Sequence, residues 1–291
     1  MSTQYDNFNI RSLGPLEAKV ILSAEESGDT IIDVERATSI LGNRQQAIWA
    51  LIRLERKGWL QRITPGKYAI YPAKTGAWDA RIMSSLKFAA SIVEPCYVGW
   101  WAAAQHHGLT WQSPSVICVA ALKQVRFRMF EHARIEFIKI KPEKFFDIVT
   151  DAVDDFPVSS IPKTIVDCVD RPKLAGGAAE VGIILGTGLE KTDAIAVVEA
   201  AIRNGSVSAM QRLGFYLDTV RPDLFSAEAR GLLKARIGKA SRSAFGRTSG
   251  ESGDFGYQSD WQLQVNIDRQ SFMAEVDRFG VYECSSKAAS T

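Results

Sequence analysis

Only three histidines occur in the 291 residues, and the four cysteines, Cys96, Cys118, Cys168 and Cys284, stand far apart with no CxxC among them. Structural zinc sites need closely spaced Cys and His ligands, and disulfide scaffolds need dense cysteine sets. The pattern excludes both and fits reduced core thiols in a cytoplasm. No uncharged apolar stretch approaches the roughly 20 residues of a membrane helix. The opening MSTQYDNFNIRSLG has no basic segment followed by an apolar run, so no secretory leader is expected and the expected location is the cytoplasm. Gly186-Thr187-Gly188 is not a GxGxxG and no GK[ST] follows it, so it reads as helix packing or a turn rather than a phosphate loop.

Signs of catalysis are equally scarce. His106 and His107 are adjacent, and neighbours on a helix point about 100° apart, which keeps them from sharing one metal. Glu136 and Lys139 lie three apart in a strand-like run, so alternation sends them to opposite faces and argues against a nuclease pair. Asp151, Asp154 and Asp155 read as a solvated acidic loop. Asp167 and Asp170, one helical turn apart, leave metal binding or capping open. The expectation is no catalytic residue, no metal site and no cofactor.

What is present is an ordinary globular composition, 46% hydrophobic and 23% charged, in a chain long enough for two domains. The net charge of +2 hides a strong segmentation. From Asn43 to Lys74 there are seven Lys or Arg and one acid, Glu55. From Glu143 to Glu199 there are eleven acids against five bases, and from Arg203 to Arg247 nine bases against three acids. Such blocks predict a patterned surface rather than uniform solubilising charge.

The first 75 residues follow one plan. Leu16 to Ser27 reads as an amphipathic helix with Leu16, Val20, Ile21 and Ala24 inward, stopped by Gly28. Asp33 caps a second helix, Val34 to Leu41, ended by Gly42. Asn43 caps a third, Arg44 to Lys57, terminated by Gly58. A strand over Trp59–Ile63, a Thr64-Pro65-Gly66-Lys67 turn and a strand over Tyr68–Tyr71 complete a hairpin. Three helices and a hairpin in this order, with the short Gly42-Asn43 connection, make a winged helix-turn-helix.

The third helix carries the functional signal. Ala47, Ile48, Leu51 and Leu54 share an apolar face, while Gln45, Gln46, Trp49, Arg53 and Arg56 fall opposite. A recognition helix packs one face on its neighbours and turns the other into the major groove, where Gln pairs with adenine and Arg with guanine. Arg44, Lys57 and the wing residues Arg62 and Lys67 add cations for phosphates. The candidate DNA-binding set is therefore Arg44, Gln45, Gln46, Trp49, Arg53, Arg56, Lys57, Arg62 and Lys67. A purely structural or protein-binding winged helix is the competing reading.

After a linker at 72–80, a second domain over 76–270 mixes helix and strand, followed by a tail, 271–291, without an assignment. Helices are expected at Arg81–Ser91, Trp100–His107, from a cap at Ser159 or Ser160 through Val169, and at Ala175–Leu185, Thr192–Asn204 and Ser206–Val220. Strands are expected at Val116–Ala120, Val125–Met129, Arg134–Ile140 and Trp261–Ile267. The fold class is α+β, an N-terminal winged helix joined to a larger mixed α/β domain. Arg230, Lys234 and Lys239 can line one side of a helical stretch, with Arg236 and Arg242 broadening the charge. The alternatives there are a solvated face or a working surface.

Taken together, Leu51–Leu54, Gly58-Trp59-Leu60, Gly66-Lys67-Tyr68, Tyr97-Val98-Gly99-Trp100-Trp101-Ala102, His107-Gly108-Leu109-Thr110 and Ile161-Pro162-Lys163-Thr164-Ile165-Val166-Asp167 give the chain a resemblance. Over residues 15 to 270 it resembles the AbiE family antitoxins of type IV toxin–antitoxin systems. That resemblance implies a bacterial antitoxin that represses its own operon at repeated operator sites. It also implies neutralisation of a nucleotidyltransferase-like toxin by the second domain, with or without a stable complex. Lys163 departs from the Arg expected there in relatives. A nucleic-acid-processing enzyme that uses the winged helix for targeting is the alternative from another class.

Overall fold

The computed structural model describes residues 12–71, 84–130, 133–238, 241–246 and 255–278. The expected linker at 72–80, the first residues of the helix expected from Arg81, and Cys284, His132 and Lys239 lie outside the described residues. The chain divides into two compact units, 1–92 and 93–291, and its fold is α+β.

The first unit runs α1 (Pro15–Glu26), β1 (Ile31–Asp33), α2 (Val34–Leu41), α3 (Arg44–Arg56), β2 (Leu60–Thr64), β3 (Lys67–Ile70) and α4 (Ser85–Ala90). The caps foreseen from sequence are present. Asp33 Oδ1 accepts from the Arg36 N–H at 2.7 Å, and Asn43 Oδ1 from the Gln46 N–H at 3.0 Å. Each satisfies a helix-start donor that would otherwise be left to water, an interaction worth about 1 kcal/mol. The hairpin pairs β2 with β3, and β1 was not foreseen. It pairs antiparallel with β3, Ile31 opposite Ala69 and Asp33 opposite Lys67, giving the sheet order β1-β3-β2. The core of this unit gathers Val20, Ile21 and Ala24 of α1 with Ile32, Leu51, Leu54, Tyr68 and Ile70.

Leu16 is a correction. Expected inside, it is exposed, and Glu17 is buried in its place. At 100° per residue, Glu17, Val20, Ile21 and Ala24 form one stripe, and Leu16 stands a quarter-turn off it. The carboxylate is tolerated because it is satisfied: Oε2 accepts from the Gly14 N–H at 2.8 Å and from Lys57 Nζ at 2.5 Å. Burial pushes the Glu17 carboxyl up, but the Gly14 hydrogen bond and the Lys57 ammonium outweigh burial and hold it below its usual range. In α3 the inward face is Ala47, Ala50, Leu51 and Leu54, with the expected Ile48 half-buried.

The second unit contains β4 (Cys96–Val98), α5 (Trp100–His106), β5 (Val116–Ala121), β6 (Arg128–Phe130), β7 (Ala133–Lys139), β8 (Ile148–Thr150), β9 (Pro157–Ser159), α6 (Ile161–Asp170), α7 (Ala178–Gly188), α8 (Ala194–Asn204), α9 (Val207–Val220), α10 (Ala227–Ile237), β10 (Ser243–Gly246), β11 (Gly256–Gln258), β12 (Leu263–Asn266) and α11 (Arg269–Arg278). A mixed six-stranded sheet has the order β6-β7-β5-β4-β9-β8, and a three-stranded sheet the order β10-β12-β11. Ser160, not Ser159, caps α6 through the Lys163 N–H, and Ser206 caps α9 through the Ala209 N–H. The strand expected over Val125–Met129 is confined to β6. The one expected from Trp261 starts only at Leu263, because Ser259–Trp261 form a 3-10 turn. Part of the unassigned tail is α11, whose Phe272 and Val276 join the core.

Helix α6 is the hub. Its Lys163 is wholly buried, ion-paired with Asp167 and 3.1 Å from the Tyr97 hydroxyl, which donates to Asp167 Oδ2 at 3.0 Å. Burial drives the Asp167 carboxyl up despite these partners, and it drives the Tyr97 hydroxyl well up as well. Asp170 is tied to Lys144 Nζ at 2.5 Å and Ser206 Oγ at 2.7 Å. Both carboxylates left open from sequence are thus structural partners, and among the described residues no cluster of potential metal ligands exists. Gly186-Thr187-Gly188 ends α7 by packing: a Cβ on Gly188 would stand 2.6 Å from Ile165 Cδ1 of α6.

Candidate nucleic-acid interface

Thirteen residues give α3 a length of about 20 Å, enough to cross a major groove about 12 Å wide. Its outward face is built as the periodicity predicts. Arg44, Gln45, Gln46, Trp49, Arg53 and Arg56 are all exposed, Trp49 at 57% of its surface. Among the described residues Arg44, Arg53 and Arg56 make no hydrogen bond or ion pair through their side chains. By contrast Arg36 of α2 is held by Asp29 at 2.9 Å and Ser27 at 2.7 Å. Free guanidiniums on one helix face, with the sole acid Glu55 half-buried to the side, are what phosphates and guanine edges require.

Two members of the expected set differ from the rest. Lys57 caps α3 but gives its ammonium to Glu17, so it fixes α3 against α1 and is not a free phosphate ligand. Lys67 is half-buried at the start of β3, while Arg62 is exposed on β2. The sequence did not show Leu16. It lines a groove of about 260 Å³ with Gln45, Gln46, Trp49 and Arg53, so an apolar notch adjoins the polar face of α3. Only the helical phase of Glu17 could have signalled this.

Two of the four residues expected on the second-domain basic surface are paired with acids. Arg230 is ion-paired with Asp218, Nη1 lying 3.0 Å from Oδ2, and its guanidinium stacks 4.5 Å from the Phe225 ring. Lys234 is 3.1 Å from Asp260 and 5.6 Å from the Trp261 ring. Arg236 is exposed, and Lys239 lies outside the described residues. The charge blocks also neutralise one another: Arg203 reaches Asp147 at 2.8 Å and Arg221 reaches Glu190 at 3.6 Å. Four of the nine bases of the 203–247 block, Arg203, Arg221, Arg230 and Lys234, are thus paired with acids, while Arg236 and Arg242 remain exposed and Arg247 lies outside the described residues. The supposed solvated acidic loop is also organised. Asp151 accepts from the Val153 and Asp154 N–H groups and meets His106 Nε2 at 3.1 Å. His107 Nε2 instead lies 2.6 Å from the Ser159 carbonyl oxygen, so the two histidines engage different partners.

No protein-family model matches the chain, and no curated protein matches it. Its fold is similar to that of the RV2827C protein from Mycobacterium tuberculosis, known from a crystal structure. The TM-score is 0.64 at 18% sequence identity, over 92% of this chain and 95% of that one. At that identity the likeness concerns the fold alone. Among the described residues no helix is long and apolar enough to cross a membrane.

Proposed function

We propose that the protein is a DNA-binding antitoxin that represses its own operon and neutralises a nucleotidyltransferase-like toxin. The observation that carries the DNA-binding part is the outward face of α3, where three unpaired arginines flank two glutamines and an exposed tryptophan. The capped N-terminus of α3 adds a partial positive charge suited to a phosphate. Support for the antitoxin part comes from the resemblance of residues 15 to 270 to AbiE family antitoxins. No catalytic role is assigned to any residue.

A gel shift with duplex DNA from upstream of the protein's own gene, repeated across salt, tests the reading. With about six phosphates neutralised, log affinity falls with log salt with a slope on the order of −5. No preference for that duplex over random sequence would sink the operator claim. The antitoxin part is tested in cells expressing the toxin. The double variant Arg53→Glu/Arg56→Glu should still protect while losing repression. Protection lost together with repression would place both activities on α3 and overturn the assignment of neutralisation to the second unit.

A further inference from the structure

A cavity of about 1160 Å³ opens in the second unit, away from any role in the DNA-binding reading. Its walls come from the turn after α6, the start of α7, Arg212 of α9, and β10, with Ile138 of β7. These segments lie far apart in sequence, which is why no motif announces the site.

Three cations face it, Arg171, Lys173 and Arg212. Arg171 and Lys173 are exposed and, among the described residues, make no side-chain hydrogen bond or ion pair. Arg212 is anchored, its Nη1 donating to the Val169 and Asp170 carbonyl oxygens at 2.9 and 2.8 Å, while its buried Nε has no partner among the described residues. The acids nearby are already engaged. Asp170 is neutralised by Lys144. Glu180 accepts from Trp101 Nε1 and Gln112 Nε2, each at 3.0 Å, and from the Thr110 hydroxyl. Glu180 lies in the first turn of α7 but does not line the cavity, whose lining sets three cations against one acid, Asp170, already paired with Lys144. The eleven-residue α7 adds to it. Its N-cap is Gly177 at φ +105°, a conformation closed to other residues, and no side chain caps the first N–H groups. Helix-start amides beside arginines favour phosphate oxygens. Pro172, Leu174 and Phe245 supply an apolar wall. The volume far exceeds one phosphate and matches small-molecule sites, which reach about 1,000 Å³.

We propose that this cavity binds a free nucleoside triphosphate, its phosphates on Arg171, Lys173, Arg212 and the start of α7, its base against the Leu174–Phe245 wall. Three cations and a helix start suit a polyphosphate better than a single phosphate, and the apolar wall gives the base a place.

Calorimetric titration of the full-length protein tests it, with ATP as probe and adenosine, inorganic tripolyphosphate and a short single-stranded oligonucleotide as comparisons. ATP should bind in the range of about 10–100 μM, and adenosine and tripolyphosphate about tenfold or more weaker. The exposed pair Arg171→Glu/Lys173→Glu should weaken ATP at least about tenfold while leaving circular dichroism and duplex-DNA affinity unchanged. The milder Arg171→Gln/Lys173→Gln should give a smaller loss of the same kind. Absence of ATP binding at millimolar concentration would overturn the proposal, as would binding indifferent to both variants. Tripolyphosphate as tight as ATP would remove the base from the site, and an oligonucleotide that outcompetes ATP would reassign it to nucleic-acid ends. Because DNA affinity is read separately, failure here leaves the winged-helix reading intact, and the converse holds too.

Discussion

Arginines on two helices, α3 of the first unit and α10 of the second, look alike in sequence and behave differently in the fold. Among the described residues Arg53 and Arg56 make no side-chain hydrogen bond or ion pair, whereas Arg230 and Lys234 of α10 are paired with Asp218 and Asp260 and packed on Phe225 and Trp261. The difference lies in what the surrounding segments supply. Around α3 the chain offers one acid in 32 residues, Glu55, and the nearest buried acid, Glu17, is taken by Lys57. Around α10 the acids come from α9 and from the turn before β12. A run of positive charge thus indicates a surface for anions only where the fold brings no carboxylate to it.

The largest effect expected is on stability and belongs to the second unit. Lys163→Ala leaves Asp167 buried among Tyr97 and the apolar core without its cation, and should destabilise by about 3–5 kcal/mol. Lys163→Arg tests whether the departure from the expected arginine is tolerated. Denaturant melts read both, and a loss below about 1 kcal/mol for the alanine variant would mean water or another cation replaces the ammonium.

Next in size are the effects expected at the proposed DNA-binding face of α3. Gln46→Ala or Arg53→Ala should weaken binding to the operator by about 1–3 kcal/mol and relax base preference, with stability unchanged. Arg62→Ala in the wing should weaken all duplexes alike. If Gln46→Ala and Arg53→Ala also lose affinity equally on every sequence, α3 positions the protein without reading bases. The mirror experiment is Arg230→Ala. It should cost about 1–2 kcal/mol of stability, above an exposed ion pair because the guanidinium also packs on Phe225, and leave DNA affinity untouched. A drop in DNA affinity with normal stability would break the comparison and return α10 to the nucleic-acid surface.

The two regions were also unequally legible. In the first unit the decisive signals are local: Asp33 and Asn43 as caps, the period of Ala47, Leu51 and Leu54, and the Pro65-Gly66 turn. Nothing local announces β1, which has three residues and pairs across more than 30 positions, nor the Glu17–Lys57 pair 40 residues apart. In the second unit the long helices α6, α8 and α9 fall on the spans expected through Val169, at Thr192–Asn204 and at Ser206–Val220. The strands β8 to β11 have three or four residues each and depend on partners elsewhere, so neither alternation nor turn chemistry could mark them. The candidate DNA interface was legible because one helix carries it. The paired state of Arg230 and the cavity beside Arg212 were not, because each is assembled from separated segments.

The smallest effect expected concerns acid, and it separates the units by pH. Burial holds the His107 imidazole below its usual pKa, against the pull of the Ser159 carbonyl and Asp151, with His106 and Lys191 adding to the shift. The unfolded chain then takes up a proton on this ring before the folded one does. Stability from this residue is complete above about pH 6.5 and falls as pH drops from there towards the lowered folded value. Glu17 in the first unit behaves differently. Its folded value is depressed, so its contribution is complete above the ordinary carboxylate range, near pH 4.3, and is lost only as pH falls through the depressed value. Hydrogen exchange followed by peptide between about pH 7 and 5 should therefore show opening free energies declining around α5 and β9 while those of α1 and α3 hold. His107→Gln keeps a donor for the Ser159 carbonyl and removes the titration, so its decline over the same range should flatten. An equal decline in the variant would assign the acid sensitivity of the second unit to other groups, and a simultaneous decline in α1 and α3 would mean the two units do not open independently.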